Sequence, residues 1–378
     1  MEYVRLKDIG RIITGNTPPT SKPEYYGDYM PFIKATDISL GTKCTLVTEQ
    51  MYSELAAEKY NESLVPKGST CVVTIGSIGK KMTYAHTDLF VNQAINAIIP
   101  KDSYDNEYVF YNVKYSVLPQ LKKLDSGTTS GRENVSKSSF SSIRIPVIKD
   151  KRVQHRIASI LSTYDTLIEN NTKRIRLLEK MAENLYKEWF VRFRFPGHEK
   201  VEMENGLPKG WKVKRYEDEL NVKYGKGLPT NRLTEDGFPV FGSNGQIGFY
   251  TSYMYDTPQI LISCRGASSG VVNISLPKSF VTNNSLVCEL TDKTESVFEY
   301  LKYYFLNTNL VQYQTGSAQP QITINNVVKL KMLVPSHEVQ CAFSKKIRVI
   351  DKEVANLQNQ NSLLTRQRDL LLPRLMSG

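Results

Sequence analysis

The sequence has few of the residues on which metal sites and disulfide frameworks depend. Its five cysteines are odd in number and form no Cys-x-x-Cys pair, and only four histidines occur in 378 residues. Zinc sites and structural disulfides need closely spaced ligands or paired cysteines, so neither is predicted. The start, MEYVRLKDIG, lacks the apolar core of a signal peptide, and no apolar run approaches membrane-spanning length. We therefore expect a reduced, cytoplasmic protein that does not enter a membrane.

A nucleotide-binding loop is missing as well. The stretch VVTIGSIGKK (72–81) reads as a strand that enters a glycine turn and ends in two lysines. A Walker loop needs glycine five residues before the glycine of its Gly-Lys pair, where Thr74 stands here. Lys81 replaces the serine or threonine that would hold magnesium. Two interpretations stay open: a glycine turn with solvated lysines, or a turn that contacts nucleic acid.

Positive charge is in excess. Lys and Arg number 49 against 38 Asp and Glu, which gives a net charge of +11. This balance favours an anionic partner, most often nucleic acid, although many proteins are mildly basic. The length of 378 residues allows two domains with a core each.

The second half of the chain repeats the first. The aligned pairs are LFVNQAINAII (89–99) with SFVTNNSLVCE (279–289), TIGSIGKK (74–81) with CRGASSGV (264–271), and Leu161, Asp165 and Leu178 with Ile347, Asp351 and Leu364. Gly76 thereby falls opposite Gly266. The predicted unit is a globular domain followed by a long helix, present twice.

Each globular copy is predicted to have an α+β fold. Short runs of β-branched and aromatic residues are broken by Gly, Asn, Pro and Ser, which indicates a twisted, mainly β core with a few helices. The expected boundaries are a first domain at 1–150, a helix at 151–194, a linker at 195–210, a second domain at 211–336 and a helix at 337–378.

The two long helices carry apolar residues at heptad spacing, which predicts a coiled-coil seam. A duplicated unit with pseudo-two-fold symmetry pairs these helices antiparallel. Each stripe is interrupted by one asparagine, Asn171 or Asn361, and an amide pair can satisfy itself. We therefore expect a register that brings the two asparagines to or near contact. Tyr164 opposite Arg368 is the layer that fits this register least well.

Several segments resemble the specificity subunits of type I restriction-modification systems. LLEKMAENLYKEWFVRFRFPG (177–197) with LPKGW (207–211) is similar to their central spacer and linker. The segments similar to their target recognition domains are PVFGSNGQIGFY (239–250), ILISCRGASSG (260–270) and FVTNNSLV (280–287), with PFIKATDI (31–38) and VVTIGSIGKK in the first copy. The resemblance covers essentially the whole chain, including the order of segments and the repeat.

The resemblance implies a subunit with no chemistry and no cofactor of its own. Two target recognition domains would each read half of a split double-stranded DNA sequence. The helices would dock two methyltransferase subunits, and restriction subunits would join one such specificity chain per complex. The sequence agrees by what it lacks: NTPP (16–19) has the wrong order for the Asn-Pro-Pro-Tyr motif of adenine methylation. No S-adenosylmethionine fingerprint or nuclease carboxylate–lysine set is recognisable.

The turns of both copies supply candidate DNA contacts. Lysines and backbone amides would hold phosphates, whereas Arg, Asn and Gln can read base edges; for each residue a structural role in its turn is the alternative. The first-domain candidates are Asn16, Lys34, Thr36, Gly76, Ser77, Lys80, Lys81, Asn92, Gln93, Thr129, Arg132 and Asn134. The second-domain candidates are Ser243, Asn244, Gln246, Arg265, Ser268, Asn283, Asn284, Gln319 and Gln321. Because the loop glycines repeat while the lysines do not, we expect two different half-sites.

The helices also carry more apolar residues than one seam requires. These are Ile160, Leu167, Leu177, Met181, Tyr186 and Phe190 in the first helix, and Leu363 and Leu372 in the second. We expect them to pack on the methyltransferase subunits, with packing on the chain's own domains as the alternative.

Two other classes of function stay open at this point. One is a stand-alone DNA methyltransferase or nuclease with an unrecognised site. The other is a basic coiled-coil scaffold that binds any DNA equally.

Overall fold

The repeat in the sequence is also a repeat in structure. The computed structural model describes residues 1–125, 133–316 and 319–377. The chain divides into two compact units, Met1–Arg174 with Leu357–Gly378, and Ile175–Asn356. Each unit combines one globular domain with parts of both long helices.

The first domain leads into the long helix α6. Its elements are β1 Glu2–Arg5, α1 Leu6–Ile9, β2 Gly10–Thr14, β3 Tyr26–Ile33, β4 Gln50–Tyr52, α2 Glu54–Lys59, β5 Thr70–Val73, β6 Met82–Tyr84, β7 Phe90–Val91, β8 Ile95–Pro100, α3 Asn106–Asn112, α4 Leu118–Leu121, α5 Lys137–Ser142, β9 Arg144–Val147 and α6 Lys151–Tyr186. A π-helical turn, Lys187–Val191, continues α6.

The second domain leads into the long helix α10. Its elements are β10 Met203–Glu204, β11 Leu207–Pro208, β12 Lys212–Arg215, α7 Tyr216–Glu219, β13 Leu220–Tyr224, β14 Phe238–Gly242, β15 Gly245–Tyr250, β16 Ile260–Ser263, β17 Val272–Ile274, β18 Phe280–Val281, β19 Ser285–Leu290, α8 Phe298–Leu306, α9 Ile324–Val327, β20 Lys331–Val334 and α10 His337–Met376.

The sheets of the two domains have the same strand order. In the first domain they are β2-β8-β5-β6, β4-β3-β7 and the pair β1-β9. In the second they are β13-β19-β16-β17, β15-β14-β18 and the pair β12-β20. The predicted duplicated α+β fold is thereby confirmed. The segment expected to be a linker contains the short hairpin β10-β11, and Phe195 beside it stacks on Trp211 with ring centroids 5.4 Å apart.

The largest sheet of each domain has an inner strand without a polar face. Strand β5 reads TCVV and strand β16 reads ILIS, and every residue of both is buried. A run of apolar and small residues without alternation is typical of a strand that is covered on both faces. These two strands therefore lie at the centre of their domains and fix the loops that follow them.

In each unit the beginning of one long helix lies beside the end of the other. In the first unit, Leu161 of α6 shares a buried cluster with Leu372 and Met376 of α10. In the second, Trp189 packs on Phe343 of α10 with ring centroids 5.8 Å apart. The helices therefore run antiparallel, as the pseudo-two-fold repeat predicts.

The contacts of the two seam asparagines follow an antiparallel register. Asn171 Nδ2 donates to Gln360 Oε1 over 3.3 Å, and Asn361 Nδ2 donates to Thr172 Oγ1 over 3.3 Å. Each asparagine thus bonds the neighbour of the asparagine it was expected to meet. Arg368, expected opposite Tyr164, is buried and forms an ion pair with Asp165.

Three of the apolar helix residues expected to face partner subunits lie inside this chain. Tyr186 and Phe190 belong to the core of the second unit, and Leu372 belongs to a core of the first. The expectation was wrong for these three, because aromatic rings and apolar strands of the adjoining domains already cover them. Ile160, Leu167, Leu177, Met181 and Leu363 are exposed.

The contrast between Phe190 and Leu177 gives a stability prediction. The ring centroid of Phe190 lies 4.7 Å from that of Tyr300 and 4.9 Å from that of Phe343. Leu177, in contrast, is 70% exposed. Phe190→Ala should lower the free energy of unfolding by ~3–5 kcal/mol. Leu177→Ala should change it by no more than about 0.5 kcal/mol. Chemical denaturation of both variants is the measurement, and equal stability would contradict this packing.

Candidate nucleic-acid interface

In the first domain, loops that are distant in sequence meet at one edge of the four-stranded sheet. Strand β8 is antiparallel to β2 and β5, so the ends of β2 and β5 and the start of β8 share that edge. The backbone N–H of Gly15 donates to Ile95 O over 3.1 Å, and that of Asn92 donates to Ile33 O over 3.0 Å. The N–H of Gly76 reaches Glu133 O at 2.9 Å. These bonds bring the turns after β2, β3, β5 and β7 together with residues 133–134.

A buried polar chain fixes the base of this loop cluster. Thr14 Oγ1 donates to Asn96 Oδ1 over 2.6 Å, and Asn96 Nδ2 donates to Thr74 Oγ1 over 2.8 Å. Asn96 and Thr74 are almost fully buried. Because unpaired polar groups are costly in such a place, the three side chains hold the ends of β2 and β5 in one arrangement.

Glycine is required where two of these loops touch. A Cβ atom on Gly15 would lie 2.0 Å from Val91 O, which no side chain can tolerate. Gly76 has a φ of +85°, in the left-handed region that glycine adopts readily. Both positions have counterparts in the second domain, Gly225 and Gly266, the latter at φ +76°.

The second domain forms the same cluster. The N–H of Gly225 donates to Ser285 O over 3.1 Å, and that of Cys264 donates to Asn284 O over 2.9 Å. Arg265 and Gln321 form an isolated β-bridge, and Ile322 N donates to Cys264 O over 3.0 Å, which brings the turn after β16 against residues 321–322. Loops from four parts of the second domain therefore share one edge of its large sheet.

The structure brings the candidate residues together in two groups, one at each loop cluster. The exposed candidates are Asn16, Thr36, Ser77, Lys80 and Gln93 in the first domain, and Asn244, Gln246, Arg265, Asn284, Gln319 and Gln321 in the second. Partly exposed candidates are Lys34, Gly76, Lys81, Asn92, Asn134, Ser243, Ser268 and Asn283. Thr129 and Arg132 lie outside the described residues.

Two of the candidate lysines already have partners within the first domain. Lys81 Nζ donates to Ala35 O over 2.9 Å, and Lys34 forms an ion pair with Glu49. Both therefore hold the turn after β3 in place. Lys80 is exposed and has no hydrogen bond or ion pair among the described residues.

The loop clusters also contain residues that the sequence patterns did not single out. The hydroxyl of Thr17 donates to Gln93 Oε1, which ties the turn after β2 to the turn after β7. Lys226 follows Gly225 as Asn16 follows Gly15, and its side chain is exposed. Extending the internal alignment to the glycines of ITGNT and KYGKG would have identified this position.

Metal and membrane features are not part of this interface. Among residues 1–125, 133–316 and 319–377, no group of His, Cys, Asp and Glu side chains is placed to hold a metal ion. None of the described helices combines the length and apolar character needed to cross a bilayer.

The fold has a counterpart among solved structures, and the sequence matches a known family. The solved structure of a type I restriction-modification S subunit from M. genitalium superposes with a TM-score of 0.59, at 19% identity over 99% of this chain and 96% of that one. Residues 1–180 and 208–366 match the family described as type I restriction modification DNA specificity domain. The chain belongs to this family.

Two relatives show how the similarity is distributed. The MjaIX specificity subunit of Methanocaldococcus jannaschii is 28% identical over 401 residues, covering 99% of this chain and 92% of the relative. The HindI specificity subunit of Haemophilus influenzae is 32% identical over 182 residues, covering 47% of this chain and 38% of the relative. The first similarity runs through both domains and both helices.

The exposed side chain of Lys80 gives a prediction about salt dependence. If Lys80 neutralises one DNA phosphate, Lys80→Ala should reduce the slope of log affinity against log salt concentration by about one. Lys7 is a matched control, because it is also an exposed lysine. It lies on α1, which precedes the start of β2, whereas the loop cluster follows the end of β2. When DNA binding is measured from low to moderate salt, Lys7→Ala should show the same slope as the wild type. An unchanged slope in Lys80→Ala would exclude this contact.

Proposed function

We propose that this chain is the sequence-reading subunit of a type I restriction-modification complex, with one target recognition domain for each half of a bipartite DNA site. The observation that carries the proposal is the duplicated loop cluster in a chain of the DNA specificity family. Each cluster presents amide and cationic side chains from several loops at one sheet edge. Such groups can contact phosphates and base edges together.

The two halves of the DNA site should differ. The first cluster presents Lys80 where the aligned turn of the second has Gly270, and the second presents Arg265 where the first has Ile75. The turn after β2 carries Asn16, whereas its counterpart carries Lys226. Since the backbones match and the reading side chains do not, an asymmetric target follows.

The chain supplies recognition and no bond-making chemistry in this proposal. One specificity chain would dock two methyltransferase subunits, and restriction subunits would complete the complex. It would act in the cytoplasm, with its DNA and partner subunits. The rival functions, a stand-alone enzyme and a non-specific scaffold, lack an observation that favours them.

Selection from a random DNA pool tests this function. The chain, purified with its methyltransferase subunit, should enrich a split and asymmetric consensus from random double-stranded DNA. Enrichment without a consensus would favour the non-specific scaffold. Methyl transfer to DNA by the chain alone, without its partner subunit, would instead establish a stand-alone enzyme.

The exposed apolar rows of the helices are the proposed docking sites for the methyltransferase subunits. On α6, Ile160, Leu167 and Met181 recur at multiples of seven residues, and Leu177 lies beside Met181. On α10, Val349, Leu363 and Leu370 follow the same spacing and are 70%, 51% and 60% exposed. Rows of this kind on charged helices usually mark a partner surface.

Equivalent leucines in the two helices allow a stoichiometric test. The internal alignment that matches Leu178 with Leu364 also matches Leu177 with Leu363. Either Leu177→Ser or Leu363→Ser should reduce the bound methyltransferase from two subunits to one, and the double variant should retain none. Subunit ratios are measured after co-purification. Leu276→Ser is the control, since Leu276 is 49% exposed and lies outside both helices. Two bound subunits in the double variant would contradict this docking surface.

A further inference from the structure

A buried ion pair joins the end of α10 to the first domain. Arg368 and Asp165 have side chains that are 2% and 3% exposed and form a direct ion pair. The hydroxyl of Tyr111, on α3, donates to the same carboxylate. Burial disfavours the charged guanidinium, but Asp165 and Asp369 hold the pKa of Arg368 above its usual value. The charge on Arg368 is therefore permanent and already neutralised.

The same guanidinium also reaches a loop of the first domain. Arg368 Nη1 donates to the backbone oxygen of Gly41 over 3.3 Å. Gly41 lies in residues 34–49, between β3 and β4, which we call the β3–β4 loop. The middle of this loop runs along the edge strand β6, where Tyr84 N donates to Lys43 O over 2.8 Å and Thr45 N donates to Thr83 Oγ1 over 2.9 Å.

The first residues of the β3–β4 loop belong to the candidate nucleic-acid interface. Ala35 O accepts the bond from Lys81 Nζ, and Lys34 N donates to Asp37 Oδ2 over 2.8 Å. Thr36, between them, is exposed. Gly41 of this loop lines a cavity of about 50 Å³ together with Lys80, Asp165 and Arg368. One loop thus spans from the interface to the helix pair.

The second domain provides an internal comparison. It repeats the pairing of a carboxylate with a tyrosine, since Asp351 accepts from Tyr303 Oη over 3.4 Å, but Asp351 is 33% exposed where Asp165 is 3% exposed. The cation there comes from the domain itself: Lys302 Nζ lies 2.8 and 2.9 Å from the carboxylate oxygens of Asp351. The position that aligns with Arg368 is Ala182. Two residues, 243 and 244, connect β14 to β15 in place of the long loop.

The difference between the copies assigns Arg368 a task beyond neutralising a carboxylate. Lys302 shows that a cation from the domain's own helix α8 is enough to neutralise the equivalent carboxylate. Arg368 instead comes from the far end of the chain and adds a bond to the β3–β4 loop. A guanidinium can make these bonds at once because its donors form a rigid fork, which an ammonium group lacks.

We propose that Arg368 is a positioning residue for DNA recognition by the first domain, holding the β3–β4 loop so that residues 34–37 present a fixed surface to the first half-site. The proposal rests on the function proposed above. It makes the end of α10 a determinant of specificity in the domain at the other end of the sequence.

Selection of DNA by the full chain with its methyltransferase subunit tests the proposal. Arg368→Lys keeps a cation for Asp165 but cannot also hold Gly41 and Asp369. One wrong base pair ordinarily costs on the order of tenfold or more in affinity. In Arg368→Lys, the loss of affinity caused by a wrong base pair should become roughly tenfold smaller in the half-site read by the first domain. In the other half-site it should stay at the wild-type value.

A second variant tests the hydrogen bond between Arg368 and Gly41 by changing the loop residue. Gly41 is exposed and has a φ of +82°, so Gly41→Val strains the backbone and moves the carbonyl without touching the buried ion pair. It should weaken the same half-site as Arg368→Lys. It also decides the question if the lysine variant fails to fold.

Lys302→Met is the matched control. It removes the cation from Asp351 in the second domain, where no long loop depends on it. It should lower the melting temperature and leave both half-sites as selective as in the wild type.

The possible outcomes separate this proposal from the proposed function. Full selectivity in both Gly41→Val and any folded Arg368→Lys would overturn the positioning role. So would an equal loss of selectivity in Lys302→Met, because the ion pair alone would then be the cause. If the wild-type complex selects no split sequence, the proposed function itself falls.

Discussion

The structure depends on the antiparallel packing of each long helix's beginning against the other helix's end. Leu161 is buried in one cluster with Leu372 and Met376. Trp189 is buried in another cluster with Phe343. Each globular domain rests on one of these two helix pairings, but only the first core is completed by a distant part of the chain, since the second unit is continuous in sequence. The discontinuous first unit, Met1–Arg174 with Leu357–Gly378, is the direct result. Burial of apolar surface therefore links parts of the chain that are far apart in sequence.

The residues proposed to contact DNA lie in loops at the sheet edges and not on the paired helices. One sheet edge in each domain is fixed by a buried strand, TCVV in the first and ILIS in the second. In the first domain the hydrogen-bonded side chains of Thr14, Asn96 and Thr74 add to this. The side chains of the loops at that edge are therefore free to differ between the domains. The same backbone bonds support Asn16 in one domain and Lys226 in the other. A shared scaffold with unlike side chains is what the reading of two different half-sites requires.

The architecture could be predicted because it follows from periodicity and repetition. Heptad spacing gave two helices, the aligned glycines gave two loop clusters, and opposed asparagines gave an antiparallel register. Burial at the helix ends could not be predicted in this way. Tyr186, Phe190 and Leu372 look like partner-facing residues until the buried clusters to which they belong are known. The β3–β4 loop and the internal partners of Lys34 and Lys81 depend on contacts that no local pattern encodes.

The discontinuous first unit has a consequence for synthesis. Because a chain is made from its amino terminus, the first domain emerges long before residues 357–377, and Asp165 has no ion pair with Arg368 until the end of α10 has been synthesised. A premature stop codon between Asn356 and Arg368 would therefore damage the domain that was translated first. The second domain, which carries Lys302 for its own carboxylate, would be spared this particular loss.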